Sequence, residues 1–426
     1  MSNLIKNVLL NNIRQDIFIQ DGLIRSIGEN LNIVADKILD GTNKAVIPSF
    51  VNAHTHSAMT LMRSYADDMH LHNWLENKIW PFEKNITEED VYWGTRLAII
   101  EMIKSGTTHF NDMYWHYNGT ARAVMDSGIH ANLSSAFIDL GNEETSKTQI
   151  AEQIEIFNNR HEYSSNVTFT LGIHALYTVS ESGVLWARDF AKEHNLKIHM
   201  HLSETQREVD EWVEQTGMRP VDYLDSIGLL GPNILAAHVN WVSEDEIKRL
   251  ADHNVGIIHC PTSNMKLASG VFPYQRMKDA GLRIGLATDG VASNNNVDML
   301  GEMKMAALLQ KSNNQDPTVM PAGEAFYLAT EGGASLFDLN MGTIAIGKSA
   351  DLLLVDLKNI HLIPNHHLIP NLVYSAHSDC IDTTISRGNI LMKNGIVDDE
   401  EYVIEHFQNA VESLVDNYSK HSFNRK

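Results

Sequence analysis

The stretch "IPSFVNAHTHSAMT", residues 47–60, decides how this chain is read. An apolar run ends in His54 and His56, two residues apart. In a strand, residues i and i+2 share a face, so the two imidazoles aim at one point and Thr55 faces away. Paired imidazoles suit a metal. Taken alone they read equally well as solvated loop histidines, so the rest of the chain must decide by supplying further ligands or not.

Working outward, the middle of the chain alternates short apolar runs with helical stretches. The runs are "KAVIPSFVNAH", "GTTHFNDM" from Gly106, "GIHANLSSAF" from Gly128, "VTFTLGIHA", "LKIHMHLSE", "NILAAHVN", "VGIIHCPTS" and "RIGLATDG". One helix is marked at both ends. Thr87 is its N-cap, Glu88, Glu89 and Asp90 fill its first turn, and Gly106 stops it. Strand–helix alternation implies parallel βα units, and eight of them imply a (β/α)8 TIM-type barrel. Both ends of the chain are β-rich: "NVLLN", "QDIFIQ" and "GLIRSIG" at the start, "ADLLLVD", "DTTISRG" and "NILMKNG" near the close. The expected organisation is a barrel over residues 49–344. A small β-sandwich domain is expected from residues 1–48 and 345–426, with a C-terminal helix.

In such a barrel the active site lies at the C-terminal ends of the strands. His54 and His56 close the first strand, His174 the fourth, His201 the fifth, His238 the sixth and Asp289 the eighth. Chance scatter of 21 histidines places one or two at that mouth, hardly five beside an aspartate. The expected metal ligands are His54, His56, His201 and Asp289, one ion per chain. The donor set suits Zn²⁺ and is open to Fe²⁺. His199 shares the face of His201 one layer deeper and reads as a supporting interior residue. His70, His72, His366 and His367 read as solvated.

Glu204 follows His201 by three residues. A carboxylate there reaches a water whose pKa a metal lowers to about 7, and can take and return a proton. His238 is placed to stabilise an oxyanion, and Asp289 to act as a second base. The set describes hydrolytic attack on an electrophilic carbon.

Composition agrees with a metabolic enzyme. With 33 basic and 54 acidic side chains the net charge is −21, which argues against nucleic acid and anionic membrane as partners. Two cysteines, Cys260 and Cys380, form no disulfide framework or Cys-x-x-Cys pair. "MSNLIKNVLLNN" lacks the apolar region of a signal peptide, and no run approaches the ~18 apolar residues of a membrane span. A cytoplasmic protein is expected.

Several motifs in order resemble the amidohydrolase superfamily, most closely the 5'-methylthioadenosine/S-adenosylhomocysteine deaminases. They are "NAHTHSAMTLMR", "HNWLENKIWPFE", "HLSET", "HCPTSNMKLASG", "ATDGVASNN" and the closing "GTIAIGKSADLLLVD". The resemblance spans nearly the whole chain. It implies a single divalent metal, hydrolysis of an adenine ring at its amino-bearing carbon, release of ammonia and a hypoxanthine product. It also implies that Glu83, in "WPFE", and His174 bind the ribose of a small nucleoside substrate, and that the enzyme packs as a homo-oligomer. A carboxylate accepts from both ribose hydroxyls, which makes this chemically reasonable. Trp74 and Trp80 are open to packing on the base or to core packing. Ser49 stands where relatives usually carry glycine.

Alternatives within the superfamily are a guanine, pterin or cytosine deaminase or a triazine hydrolase; outside catalysis, an inert metal-binding homologue. Glu83 and His174 favour a nucleoside, and the intact Glu204, His238 and Asp289 favour an enzyme. Relatives that act well on S-adenosylhomocysteine can hold its carboxylate with arginine. Here no Arg lies between Arg122 and Arg160, Lys147 is the one Lys in that interval, and Asp139, Glu143 and Glu144 are acidic. A tailless adenine nucleoside is therefore the expected preference.

Overall fold

The computed structural model describes the backbone of residues 2–423 and the side chains of residues 2–415. The chain is α/β. It opens with five strands: β1 (Ser2–Leu10), β2 (Ile13–Gln20), β3 (Leu23–Gly28), β4 (Lys37–Asp40) and β5 (Lys44–Pro48). Nine strands of the middle follow: β6 (Phe50–Thr55), β7 (Thr107–Tyr114), β8 (His130–Ser135), β9 (Val167–Phe169), β10 (Leu171–Ile173), β11 (Ile198–Leu202), β12 (Ile234–His238), β13 (Gly256–His259) and β14 (Arg283–Leu286). Three close the chain: β15 (Leu352–Asp356), β16 (Ile381–Ser386) and β17 (Asn389–Lys393).

The strands from the two ends join in one eight-stranded sheet, ordered β17-β16-β15-β5-β1-β2-β3, with β4 beside β1. Ile5, Val8, Ile17, Ile19, Leu352 and Ile385 pack into its own apolar cluster. The middle strands form two parallel sheets, β6-β7-β8-β9 and β10-β11-β12-β13-β14. Hydrogen bonds link them at both seams. The Thr170 amide donates to the Leu133 carbonyl at 2.8 Å, and the Asp289 amide to the His54 carbonyl at 3.0 Å.

One sequence reading needs correction here. "KAVIPSFVNAH" is two strands, β5 in the terminal sheet and β6 in a parallel sheet, parted at Ser49. Pro48 has no amide to extend a ladder on both sides. Ser49 is buried at the break, its amide on the Asp351 carbonyl at 3.1 Å and its hydroxyl 2.6 Å from that of Thr108. The passage from one sheet to the other thus occurs at one residue, five residues before the site opens at His54.

The helix Glu88–Lys104 forms where its caps predict. Thr87 and Asp90 make a reciprocal capping box. Gly106 beyond its end has φ +94°, and a Cβ there would lie 2.5 Å from Leu353, so glycine is required. The C-terminal helix Glu400–Phe423 packs on this helix through Lys104–Glu400 at 2.7 Å, Arg96–Asp399, and the Trp93 ring stacked on His406. No helix among the described residues is long and apolar enough to cross a membrane.

Candidate active site

Every residue expected at the site lies beside one cavity or in its wall. His54 ends within β6 and His56 follows it; His174 follows β10; His201 lies in β11; His238 closes β12; Asp289 stands three residues past β14. The chain turns sharply at these ends. Ser203, His238, Val239 and Asp289 have φ of +49°, +73°, +49° and +65°. Left-handed backbone at non-glycine residues costs about 1–3 kcal/mol each and persists where surrounding bonds hold it. Here the Val239 amide donates to the Leu202 carbonyl at 2.9 Å, and the Asn240 amide to the Ser203 carbonyl at 3.1 Å.

The imidazole geometry fits a cation. His56 Nδ1 lies 2.6 Å from the Met113 carbonyl and His201 Nδ1 2.7 Å from the His174 carbonyl. A carbonyl only accepts, so both Nδ1 atoms carry hydrogen and both Nε2 atoms of the neutral rings are bare. Those bare nitrogens are 3.3 Å apart. Asp289 Oδ1 sits 3.3 Å from His56 Nε2 and 3.2 Å from His54 Nε2. His54 Nε2 is buried without a hydrogen-bond partner, and its Nδ1 meets His199 Nε2 at 2.6 Å. Lone pairs that converge on one point repel unless a cation sits among them, which is what a metal site requires. Burial pushes His54 down to about 4, so it stays neutral and able to ligate at neutral pH. Cys260 Sγ forms a further compact group with His54 and His238, and burial raises its thiol well above the usual range.

Glu204 and His238 stand together at the edge of this cluster. Glu204 is buried, accepts the Ser269 hydroxyl at 2.8 Å, and has Oε2 3.9 Å from His238 Nε2. Burial raises its pKa, and the neighbouring His238 opposes that rise. His238 Nδ1 donates to Asn264 Oδ1 at 2.9 Å, because the Asn264 amide group is already donated to Asn240. Burial alone would lower the His238 pKa; the charges of Glu204 and Asp289 reverse this and raise it.

The cavity, counted with the part that opens to solvent, spans about 640 Å³. Polar groups of His174, Glu204, His238 and Asp289 face apolar walls that include Met59, Trp80 and Ile138. Glu83 is half-buried in this wall and accepts the Trp115 indole N–H at 3.2 Å; burial raises its pKa. His174 Nδ1 is bonded to Thr178 at 2.9 Å, leaving Nε2 for the cavity. Trp80 lines the cavity half-buried; Trp74 is 4% exposed and donates to the Ala66 carbonyl, so it forms wall rather than contact surface. His70, His366 and His367 are exposed as expected, whereas His72 is half-buried beside Tyr177.

Two supporting residues, Asp112 and Glu208, escaped the sequence reading. Asp112, in β7, accepts the Thr55 hydroxyl and the Ser57 amide, each at 2.6 Å, and so pins both flanks of His56. Glu208 accepts the amides of Ser203 at 2.9 Å and Glu204 at 2.8 Å. Its signal was present: Thr205 with Glu208 three residues on has the capping-box spacing. His199, read from the sequence as a supporting interior residue, is buried and meets His54 directly. Asp112 had no such local signal.

Comparison with known proteins agrees with this geometry. Residues 45–391 match the Amidohydrolase family. The chain is 46% identical to 5-methylthioadenosine/S-adenosylhomocysteine deaminase 1 of Archaeoglobus fulgidus, over 89% of this chain and 90% of the relative. It is 42% identical to 5'-deoxyadenosine deaminase of Methanospirillum hungatei JF-1, over 97% and 94%. Among solved structures, an adenosine deaminase from Xanthomonas campestris with bound zinc superposes with a TM-score of 0.91 at 30% identity, covering 97% of this chain and 98% of that one. With its fold, its imidazole cluster and this match over most of its length, the chain belongs to the amidohydrolase family.

Proposed function

We propose that this protein is a metal-dependent hydrolytic deaminase of adenine nucleosides, forming the hypoxanthine nucleoside and ammonia. The observation that carries the reading is one cavity in which bare imidazole nitrogens and Asp289 meet Glu204 and His238 at one end and Glu83 at the other. His54, His56, His201 and Asp289 would hold one Zn²⁺ per chain. Bound there, the metal supplies Lewis acidity and lowers the pKa of water to about 7.

The chain's own residues account for the proton traffic. Water adds to the amino-bearing carbon of the purine. Glu204 takes a proton from it and delivers one to the adjacent ring nitrogen. Asp289 accepts the second proton of the water, and His238 Nε2 faces the added oxygen and stabilises its charge. The C–N bond then breaks as Asp289 passes the proton it accepted to the amino group, which leaves as ammonia, and the ring nitrogen keeps its proton in the product. Glu83 and His174 bind the ribose, the Glu83 carboxylate accepting from its hydroxyls.

The architecture follows the same reading. The two parallel sheets are taken as one closed (β/α)8 barrel of residues 49–344, supported by the hydrogen bonds at both seams. Residues 1–48 and 345–426 are taken as a small domain whose sheet folds over its own apolar cluster as a β-sandwich. Two free, buried cysteines suit a reducing cytoplasm.

A screen of the zinc-loaded protein for ammonia release tests the function. Turnover is expected with 5'-methylthioadenosine, S-adenosylhomocysteine, 5'-deoxyadenosine or adenosine, and none with guanine. Turnover of guanine or a triazine alone would overturn it.

A further inference from the structure

One buried acid takes no part in the chemistry above. Glu302 lies in the helix Met299–Asn314, is 1% exposed and does not line the cavity. No basic side chain pairs with it among the described residues. A buried carboxyl without a cation is costly unless hydrogen bonds satisfy it. Burial raises its pKa to about 7, and the bonds from Thr262 and Asn294 oppose the rise. Those bonds come from two different turns. Oε2 accepts the Thr262 amide at 3.2 Å, in the turn that follows β13. Oε1 accepts the Asn294 side-chain amide at 2.6 Å, in the turn that follows β14.

Each turn carries groups that hold the site. Beside Thr262, the Ser263 hydroxyl donates to Asp289 Oδ2 at 2.5 Å, and Asn264 Oδ1 accepts from His238 Nδ1 at 2.9 Å. Beside Asn294, the Ser293 hydroxyl lies 3.0 Å from the same Asp289 oxygen. Asn294 also donates to the carbonyl of Thr288, the neighbour of Asp289, at 2.7 Å. Asp289 stands outside any strand or helix with φ +65°, so side-chain bonds must fix its carboxylate. We propose that Glu302 is a positioning residue that clamps the turn after β13 to the turn after β14, and through Ser263, Asn264 and Ser293 sets the Asp289 carboxylate and the His238 ring without bonding to either. The inference rests on the roles proposed above for Asp289 and His238. A shift of Thr262 carries Ser263 and Asn264 with it, and a shift of Asn294 carries Ser293. Misplacing a reacting group by about 1 Å costs about 10²-fold in rate. A purely local role, capping the helix Pro261–Lys266, would leave Asp289 in place.

Substitution on the zinc-loaded protein tests this. Glu302→Gln keeps the volume but turns an amide group toward one of the two donors, and Glu302→Ala removes both acceptors. With 5'-methylthioadenosine, kcat should fall about tenfold in the first and about 100-fold in the second, while KM stays within about twofold because Glu83 and His174 are untouched. Zinc affinity, read by competition with a chelator, should drop about tenfold, since Asp289 is among the proposed ligands. Ser263→Ala should lower kcat in the unsubstituted chain and add little in Glu302→Gln, because the turn it belongs to is already released. Unchanged kcat and zinc affinity in folded Glu302→Gln overturn the clamp, even with a lower melting temperature, and leave Glu302 a cap of one short helix. Losses that simply multiply with Ser263→Ala overturn it as well. Should Glu302→Ala fail to fold, Glu302→Gln decides. Absence of turnover on every adenine nucleoside would instead remove the functional reading, while zinc affinity, which needs no substrate, still tests the clamp.

Discussion

At the scale of single residues, the proposed roles divide between holding a metal and moving protons, with Asp289 in both, and substitution should reveal the division. Glu204→Gln keeps the shape and the Ser269 contact but loses the base. It should lower kcat by about 10²–10⁴-fold with the metal retained. His201→Ala removes a bare nitrogen from the cluster and should lose metal along with activity. Metal content measured beside turnover distinguishes the two; a fast Glu204→Gln enzyme would end the proton-transfer assignment. Glu83→Ala should cut kcat/KM for 5'-methylthioadenosine by about 10–100-fold. A hydrogen bond to a charged group is worth about 1.5–3 kcal/mol, and about 1.4 kcal/mol is one decade. Unchanged efficiency would remove Glu83 from the substrate.

At the scale of elements, these side chains are precise because their strand ends are tied down. The turn from β11 into the helix Gln206–Thr216 carries Glu204, and Glu208 ties it by accepting two consecutive amides. Glu208→Ala leaves two buried donors without partners, at about 1–3 kcal/mol each. The variant should denature at lower urea concentration and lose kcat while it keeps its metal. Glu208→Gln retains one acceptor and should fall between. Full kcat in Glu208→Ala would show that the turn holds without it. Asp112 plays the corresponding part for the turn after β6.

At the scale of the whole molecule, buried neutral histidines set the acid limit. His259 is fully buried, stacks on Phe272 at 4.3 Å, and has no hydrogen bond at either ring nitrogen. Burial lowers its pKa from 6.5 to about 3. The unfolded chain therefore binds a proton here below pH 6.5 while the folded chain does not. Stability from this group is full above pH 6.5 and is lost as pH falls toward 3. At pH 5 the loss is about 2 kcal/mol, from about 1.36 kcal/mol per pH unit. His259→Phe should show a shallower fall in unfolding midpoint between pH 7 and pH 5 than the native chain; a parallel fall would refute the argument.

What the sequence alone determined was everything local or periodic. The i, i+2 histidines, the strand–helix alternation, the caps at Thr87 and Gly106, and the polar residues ending apolar runs all follow from two- and 3.6-residue periods and short-range hydrogen bonding. They sufficed for the α/β class, for the residues that gather at one cavity, and for Glu204 beside them. What the tertiary structure decided was everything that depends on distant partners. Asp112 reaches Thr55, and His199 reaches His54 across 145 residues of chain. Ser49 marks a change of sheet because Asp351 and Thr108 flank it. Asp139, acidic in sequence, is consumed by Ser180. Burial and contact between remote segments leave no periodic trace in the chain, so the supports of the site become legible only when the fold brings those segments together.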